Sequence, residues 1–143
     1  MEYKPDLVES FLRDYERNIA AEDIPALLAQ FADPFLAAIP QGAKIVSAAD
    51  HAKALPARRD FFDHAGCKSS TLVSAQPIPL SSRYTLALTK WRVTVAVAQS
   101  QPKEIVVDTA FIVDTGDGAC KIILYLPAAD IMALLKDEAL PAG

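Results

Sequence analysis

The sequence predicts an α+β domain in which helices pack against one antiparallel sheet. Three strand-like runs follow one another with no helix between them, at residues 84–98, 105–113 and 120–126. Each run is rich in β-branched, leucine and aromatic residues, and short turns join it to the next, so we expect an antiparallel meander. The helical patterns lie mainly before these runs, and that segregated order is typical of an α+β fold.

The composition indicates one domain spanning residues 1–143, long enough to bury a core. Hydrophobic residues make up 52% of the chain, but no window approaches the ~20 uninterrupted apolar residues of a membrane span. The first ten residues are charged and lack an apolar signal core, so we expect a cytoplasmic protein that does not bind membranes. The net charge of −4 argues against nucleic acid as a partner.

The first helix is predicted by apolar residues that recur at four-residue spacing after Pro5, a favourable helix start. These residues are Leu7, Phe11, Tyr15 and Ile19, and Val8 and Leu12 lie beside them on the same apolar stripe. A second, shorter helix is expected to begin after an N-cap at Asp23, to carry Phe31, and to end near Asp33, because Pro34 disfavours helix in the residue before it.

A third helix is expected from Ser47, a capping residue, to His64. Gly66 is expected to end it, and Pro56 inside it should kink or split the helix. Short edge strands are expected at residues 35–39 and 71–78, and a final helical turn or two at residues 128–135.

The faces of the first long strand predict which side of the sheet meets the core. Trp91, Val93 and Val95 alternate with polar residues, so their face is expected to be buried. Leu86 and Leu88 make the opposite face apolar as well. The predicted helices can cover only one face, so we expect a homodimer through the sheet.

Four stretches carry a resemblance to a known family: residues 11–33 (FLRDYERNIAAEDIPALLAQFAD), the turn at residues 40–42 (PQG), the third helix, and the closing VVDTAFIVDTGDGACKIILYL. Together they resemble the nuclear transport factor 2-like superfamily, most nearly its bacterial SnoaL-like branch. The resemblance implies a cone-shaped, cystatin-like fold, with a curved antiparallel sheet packed against N-terminal helices and a pocket between them. Enzymes and non-catalytic binding domains both use this fold, so the resemblance alone does not select an activity.

Ketosteroid isomerase, a member of that superfamily, uses a tyrosine, a protonated aspartic acid and a separate aspartate base. The resemblance places Tyr15 at the tyrosine, Ile39 at the base, and either Asp108 or Thr109 at the protonated acid. Because an isoleucine side chain cannot accept a proton, we expect no isomerisation of a ketosteroid.

Tyr15 and Asp108 are the candidate catalytic residues. The Tyr15 hydroxyl can donate to a ligand oxygen, or it can bond to the backbone as a core tyrosine does. Asp108 would have a raised pKa and could act as an acid or base if it lay on a buried sheet face. Alternatively, Asp108 pairs with Lys90 or Arg92 across the hairpin.

A ligand pocket is expected to be lined by Tyr15, Trp91, Thr109 and Phe111, although Trp91 and Phe111 also fit a plain core role. We expect no metal and no cofactor, because neither histidine has a second ligand at metal-binding spacing and no dinucleotide or phosphate-binding motif occurs. Cys67 and Cys120 are expected to be free thiols.

Two functions are the main alternatives from the sequence, and a third, a structural or interaction domain, follows if the cavity is collapsed. The first is a small-molecule-binding protein with an apolar pocket and no chemistry of its own. The second is a cofactor-independent isomerase, cyclase or dehydratase that acts on a hydrophobic substrate by proton transfer. The missing acid at position 39 favours the first, whereas a polar group that meets Asp108 inside one pocket would favour the second.

Overall fold

Six strands and three α-helices make up the part of the chain that the computed structural model describes, residues 5–96 and 101–128. The helices are α1 (Pro5–Ala20), α2 (Ile24–Ala29) and α3 (Ala48–His64). The strands are β1 (Phe31–Ile39), β2 (Gly42–Val46), β3 (Cys67–Pro79), β4 (Tyr84–Val95), β5 (Lys103–Asp114) and β6 (Lys121–Pro127). A short 3₁₀ turn, Gly116–Gly118, joins the last two strands. The α+β class is therefore confirmed.

The strands form one curved sheet in the order β2-β1-β6-β5-β4-β3. The meander predicted from the sequence is confirmed, because β3, β4, β5 and β6 pair antiparallel with their neighbours. The sheet is mixed, however, since β6 runs parallel to β1. The meander ends with β6 beside β1, and both strands run in the same direction, so they pair in parallel.

The start of the sheet differs from the prediction. Helix α2 begins after its Asp23 cap as expected, but it ends at Ala29, and Phe31 already belongs to β1. The backbone oxygen of Gln30 accepts a hydrogen bond from the Ile122 amide at 2.8 Å, so pairing with β6 takes over where the helix stops.

The predicted edge strand at residues 35–39 lies inside the sheet. It is the second half of β1, and the edge position belongs to β2, which sequence reasoning missed. Pro40 and Gln41 close a tight hairpin in which Ile39 faces Gly42, whose positive φ of 138° favours glycine. The other edge strand was predicted correctly, as β3.

Helix α1 packs the predicted apolar stripe against the core, most deeply at Val8 and Leu12, and only Leu7 departs from the prediction. Val8 and Leu12 are 1% and 0% exposed, whereas Leu7 is 47% exposed. The helix is fixed to the edge of the sheet at Leu72. Arg13 donates to the Leu72 backbone oxygen at 2.8 Å, and the Glu16 carboxylate accepts from the Leu72 amide at 2.7 Å.

Helix α3 begins and ends as the sequence predicts. The Ser47 hydroxyl accepts a hydrogen bond from the Asp50 amide at 3.1 Å, and Gly66 follows the last turn with φ of 83°. Pro56 does not split the helix, which continues from Ala48 to His64.

The two faces of the sheet differ in what covers them. The inner face packs against α1 and contains Trp91, Val93 and Val95, so the predicted core face is confirmed. The opposite face, which we call the outer face, carries a row of six apolar residues that are paired across all six strands. They are Ile45, Leu36, Leu124, Ile112, Leu86 and Ile78. Beside this row, Leu88 and Leu126 are 42% and 40% exposed.

Among the described residues, no helix is long and apolar enough to cross a membrane. The final helix predicted at residues 128–135 falls outside the described residues, apart from Ala128.

Candidate functional site

A cavity of about 310 Å³ lies between the inner face of the sheet and the helices. Its inner lining is mostly aromatic and aliphatic, whereas its exposed lining residues, such as Glu22, Asp63 and Ser69, are polar. The lining residues that carry the argument below are Tyr15, Phe31, Arg58, Phe62, Trp91, Val107, Thr109, Phe111 and Tyr125. The four residues predicted to line a pocket, Tyr15, Trp91, Thr109 and Phe111, therefore all contact this one cavity.

Strand alternation explains why these residues meet. On β5, Val107, Thr109 and Phe111 are separated by two positions, so their side chains point to the same face. Trp91 lies directly opposite Val107 on the neighbouring strand β4. Tyr15 comes from the buried side of α1, which crosses over this part of the sheet.

Tyr15 is the centre of an aromatic cluster. Its ring meets those of Phe31, Trp91 and Phe111 edge to face, with centroid distances of 5.9, 6.0 and 5.6 Å. Such edge-to-face pairs stabilise one ring orientation by about 0.5–1.5 kcal/mol each beyond burial. The phenol is therefore held in a fixed position inside the cavity.

The hydroxyl of Tyr15, a partly buried residue that lines the cavity, makes no hydrogen bond within residues 5–96 and 101–128. Burial raises the pKa of Tyr15 well above its ordinary value, the neighbouring Tyr125 raises it further, and Arg58 lowers it by less. The phenol is consequently neutral at physiological pH. It can donate a proton in a hydrogen bond but cannot serve as a base.

A second polar group stands near Tyr15. The Arg58 guanidinium donates to the Tyr125 hydroxyl at 3.3 Å and lies over the ring of Phe62, 4.8 Å from its centroid. Because Tyr125 accepts from Arg58 through its oxygen, its own proton remains available as a donor. We refer to Tyr15, Arg58 and Tyr125 together as the donor corner.

The indole of Trp91 contributes surface to the cavity but no hydrogen bond. Its N–H donates to the Thr89 hydroxyl at 3.0 Å, and that hydroxyl donates to the backbone oxygen of Thr109 at 2.6 Å. This chain of hydrogen bonds satisfies the indole and fixes its rotamer.

Asp108 does not lie in the cavity with Tyr15. Asp108 lies on the outer face, where Lys90 donates to its carboxylate at 3.0 Å, and its side chain is 64% exposed. It is separated from Tyr15 by the sheet itself, because successive residues of a strand point to opposite faces and its neighbour Thr109 takes the inner position. The alternative ion pair with Lys90 is the one that the structure contains.

No carboxylate takes the place of the missing base in the described part of the chain. Ile39 ends β1 and does not line the cavity. Among the described residues, the acidic side chains that line it are Glu22 and Asp63, and both are exposed.

The cysteines and histidines do not provide other chemistry at this site. Cys67 and Cys120 are free thiols, as predicted, and burial raises the pKa of both, so they are neutral and weak nucleophiles at physiological pH. Within the described residues, no group of three His, Cys, Asp or Glu side chains is placed to hold a metal ion.

His51 has a packing role beside the cavity. Its imidazole meets the rings of Phe31 and Phe35 edge to face, with centroid distances of 4.6 and 4.9 Å. Burial lowers the pKa of His51 below its ordinary value of 6.5, and the positive charge of Arg58 lowers it further. The folded protein therefore favours the neutral imidazole.

We expect the free energy of unfolding to fall as the pH drops below about 6.5, because the unfolded chain then binds a proton that the folded chain resists. The slope is at most about 1.4 kcal/mol per pH unit, and it ends at the lowered pKa of the folded state. Urea denaturation of the wild type and His51→Leu at several pH values checks this, and the variant should lose the slope. The His64→Leu control, at the exposed histidine, should retain it; a wild type with no slope would contradict the assignment.

Sequence reasoning missed two members of the donor corner. Tyr125 follows from strand alternation once its register with Phe111 is known, but the sequence leaves that register open by one residue. Arg58 gives no signal in the sequence, because it lies in a helix with a weak apolar periodicity, beside another arginine.

Comparison with solved structures identifies the class of fold. Aln2 from a Streptomyces species is similar with a TM-score of 0.72 and 14% sequence identity, over 94% of this chain and 98% of that one. A nuclear transport factor 2-like protein with a cystatin-like fold from Novosphingobium aromaticivorans gives 0.69 and 12%, over 90% and 85%. A ketosteroid isomerase-like protein from Erwinia carotovora atroseptica gives 0.68 and 12%, over 91% and 100%.

The chain thus has the nuclear transport factor 2-like, cystatin-like fold, as the resemblance in its sequence predicted. At these identities the likeness shows the fold alone. No protein-family model matches the sequence, and neither does any curated protein. The finer assignment to the SnoaL-like branch stays a prediction.

Proposed function

We propose that this protein binds a small, largely apolar organic molecule in the cavity under α1 and α3. The observation that carries the proposal is the aromatic cavity around Tyr15, whose volume of about 310 Å³ is at the small end of the range for ligand pockets. A flat molecule of roughly two fused rings suits that volume and those walls.

Binding without proton transfer is the function that the chemistry of the cavity favours. Proton abstraction needs a base within hydrogen-bonding reach of the substrate, and such assistance contributes about a hundred- to ten-thousand-fold in rate. The described lining offers Tyr15, which is a donor, and two carboxylates that are exposed to water. An isomerase, cyclase or dehydratase would therefore need a base from outside the described residues, and the lack of ketosteroid isomerisation stays a prediction.

Calorimetric titration with 2-methylnaphthalene tests this proposal, because that molecule has the expected size and no polar group. Saturable binding with one site per chain would support it. An absence of binding by both this hydrocarbon and its carboxylate analogue, 2-naphthoate, would contradict it.

We also propose that two copies of the chain associate through the outer face. The apolar row across six strands, together with the exposed Leu88 and Leu126, makes a continuous surface of the kind that soluble monomers rarely expose. A two-fold axis would place the same row of a second copy against it. The flanking pair of Lys90 and Asp108 supplies both signs of charge at the border of that surface. A cytoplasmic location, supported by two free thiols, stays a prediction.

Light scattering coupled to size exclusion should give about twice the chain mass of 15.4 kDa. Leu88→Glu should convert the dimer to a monomer, because it places an unpaired charge within the proposed interface. The matched control is Leu7→Glu, which changes an equally exposed leucine on α1, away from the sheet. A wild type that elutes as a 15.4 kDa monomer at micromolar concentration would refute the dimer.

A further inference from the structure

The free side of strand β3 is occupied at one residue by side chains of α1. Strand β3 is the last strand of the described sheet, and an open edge of this kind can pair with the edge of another chain. At Leu72, Arg13 donates to the backbone oxygen at 2.8 Å, and the Glu16 carboxylate accepts from the amide at 2.7 Å. We call Arg13 and Glu16 the edge clamp. It bonds the two backbone groups that an added strand would use.

The edge clamp is held in this position by the geometry of α1. Arg13 and Glu16 are three residues apart, so they lie on the same face of the helix, and they pair with each other at 3.3 Å. A donor and an acceptor therefore stand side by side, as the amide and carbonyl of a neighbouring strand would. Because both side chains are charged, their bonds to the backbone are stronger than those between neutral peptide groups.

The edge beyond the clamp offers little for pairing. Leu72 points its peptide groups away from β4, and a bulge at Val73 follows. After the bulge, strand alternation turns the backbone groups of Ala75, Pro77 and Pro79 outward. The two prolines have no N–H to donate. Outside the bulge, the outward amide that remains in this described stretch after Leu72 is that of Ala75.

We infer that the edge clamp keeps the β3 edge from pairing with the β3 edge of a second copy. The prolines act on the last part of the strand, and the clamp acts at its middle, on the residue just before the bulge. The other edge strand, β2, has five residues and carries Lys44, and short length and lysine have the same protective effect. Self-association is thereby directed to other surfaces. The inference does not depend on the proposed ligand, because it concerns the edge of the sheet and not the cavity.

Hydrogen exchange of the wild type tests the clamp itself. The Leu72 and Ala75 amides face outward from the same edge, and that of Leu72 is bonded to the Glu16 carboxylate. After correction for intrinsic rates, the Leu72 amide should exchange at least about tenfold more slowly than the Ala75 amide, which corresponds to one hydrogen bond to a charged group. Glu16→Ala should remove this difference, and Glu16→Gln, which keeps an acceptor oxygen, should retain part of it. Equal exchange of the two amides in the wild type would overturn the inference.

Removing the clamp tests its effect on assembly. In light scattering on the full chain, Arg13→Ala combined with Glu16→Ala should give at least about twice the mass of the wild-type species, because the opened edges can then pair. The matched control combines Asp14→Ala with Arg17→Ala, which removes an ion pair of the same charges from the exposed side of the same helix. The control should keep the wild-type mass. A folded clamp variant that also keeps the wild-type mass would overturn the inference.

A third substitution distinguishes edge pairing from association through a loosened core. Ala75→Pro removes the remaining outward amide, and proline is tolerated at such positions of an edge strand. Added to the clamp variant, Ala75→Pro should restore the wild-type mass, and thermal denaturation shows whether each variant is folded. Larger species that persist in the triple variant do not form through β3 and would overturn the inference. If the clamp variant does not fold, the exchange of the Leu72 and Ala75 amides in the wild type decides alone.

Discussion

Replacing Val107 with tryptophan should abolish ligand binding, with an expected increase of at least about a hundredfold in Kd, or about 2.7 kcal/mol. Val107 is 6% exposed and lines the cavity. It is the cross-strand neighbour of Trp91 on the same wall of the cavity. An indole at this position would occupy much of the space between β5 and Tyr15. Calorimetric titration with 2-methylnaphthalene measures the loss.

The adjacent residue provides the control. Val106 is on the same strand but points to the outer face, where it is 56% exposed. Val106→Trp introduces the same side chain one residue away and should leave the affinity per chain unchanged. Thermal denaturation should find both variants folded, since overpacking typically costs about 1–3 kcal/mol. Undiminished binding by folded Val107→Trp would mean that the ligand site lies elsewhere.

Leu12→Ala should destabilise the protein by about 2–5 kcal/mol, the range for truncating a fully buried leucine. Leu12 is 0% exposed and belongs to the core cluster under α1. The large effect combines the lost burial of the side chain with the cavity that it leaves behind. Urea denaturation gives the free energy of unfolding from the midpoint and the slope.

The control for this substitution lies on the same helix. Leu7→Ala changes the same residue type at a position that is 47% exposed, and it should alter stability by less than about 0.5 kcal/mol. The pair therefore separates burial from helix propensity, which is the same in both changes. Equal losses from the two variants would contradict the orientation of α1 described above.

The long strands and helix caps were predictable because each depends on a strong local signal. Alternation along β4 identified the Trp91 face, and the capping residues Asp23 and Ser47 marked two helix starts. The border between α2 and β1 was not predictable, because it depends on a hydrogen bond from Ile122, which is distant in the sequence. Short strand β2 was missed for a similar reason: its pairing with β1, rather than its composition, makes it a strand.

The residues of the candidate site were predictable where the sequence shows which face of the sheet a side chain occupies. Trp91, Thr109 and Phe111 share one face, and Tyr15 follows from the helical periodicity that also predicts α1. The position of Asp108 required the register of the hairpin, which pairs it with Lys90 on the outer face. Arg58 enters the site only because its side chain reaches Tyr125 from α3, and such a tertiary placement leaves no periodic trace in the sequence.

The central claim is that the cavity under α1 and α3 holds the ligand, and intermolecular nuclear Overhauser effects test it most directly. Isotope-filtered spectra would be recorded on labelled protein saturated with unlabelled 2-methylnaphthalene. We expect contacts from the naphthalene protons to the rings of Tyr15, Trp91 and Phe111, which surround the cavity. Contacts confined to Leu88 and Leu126 on the outer face would contradict the claim.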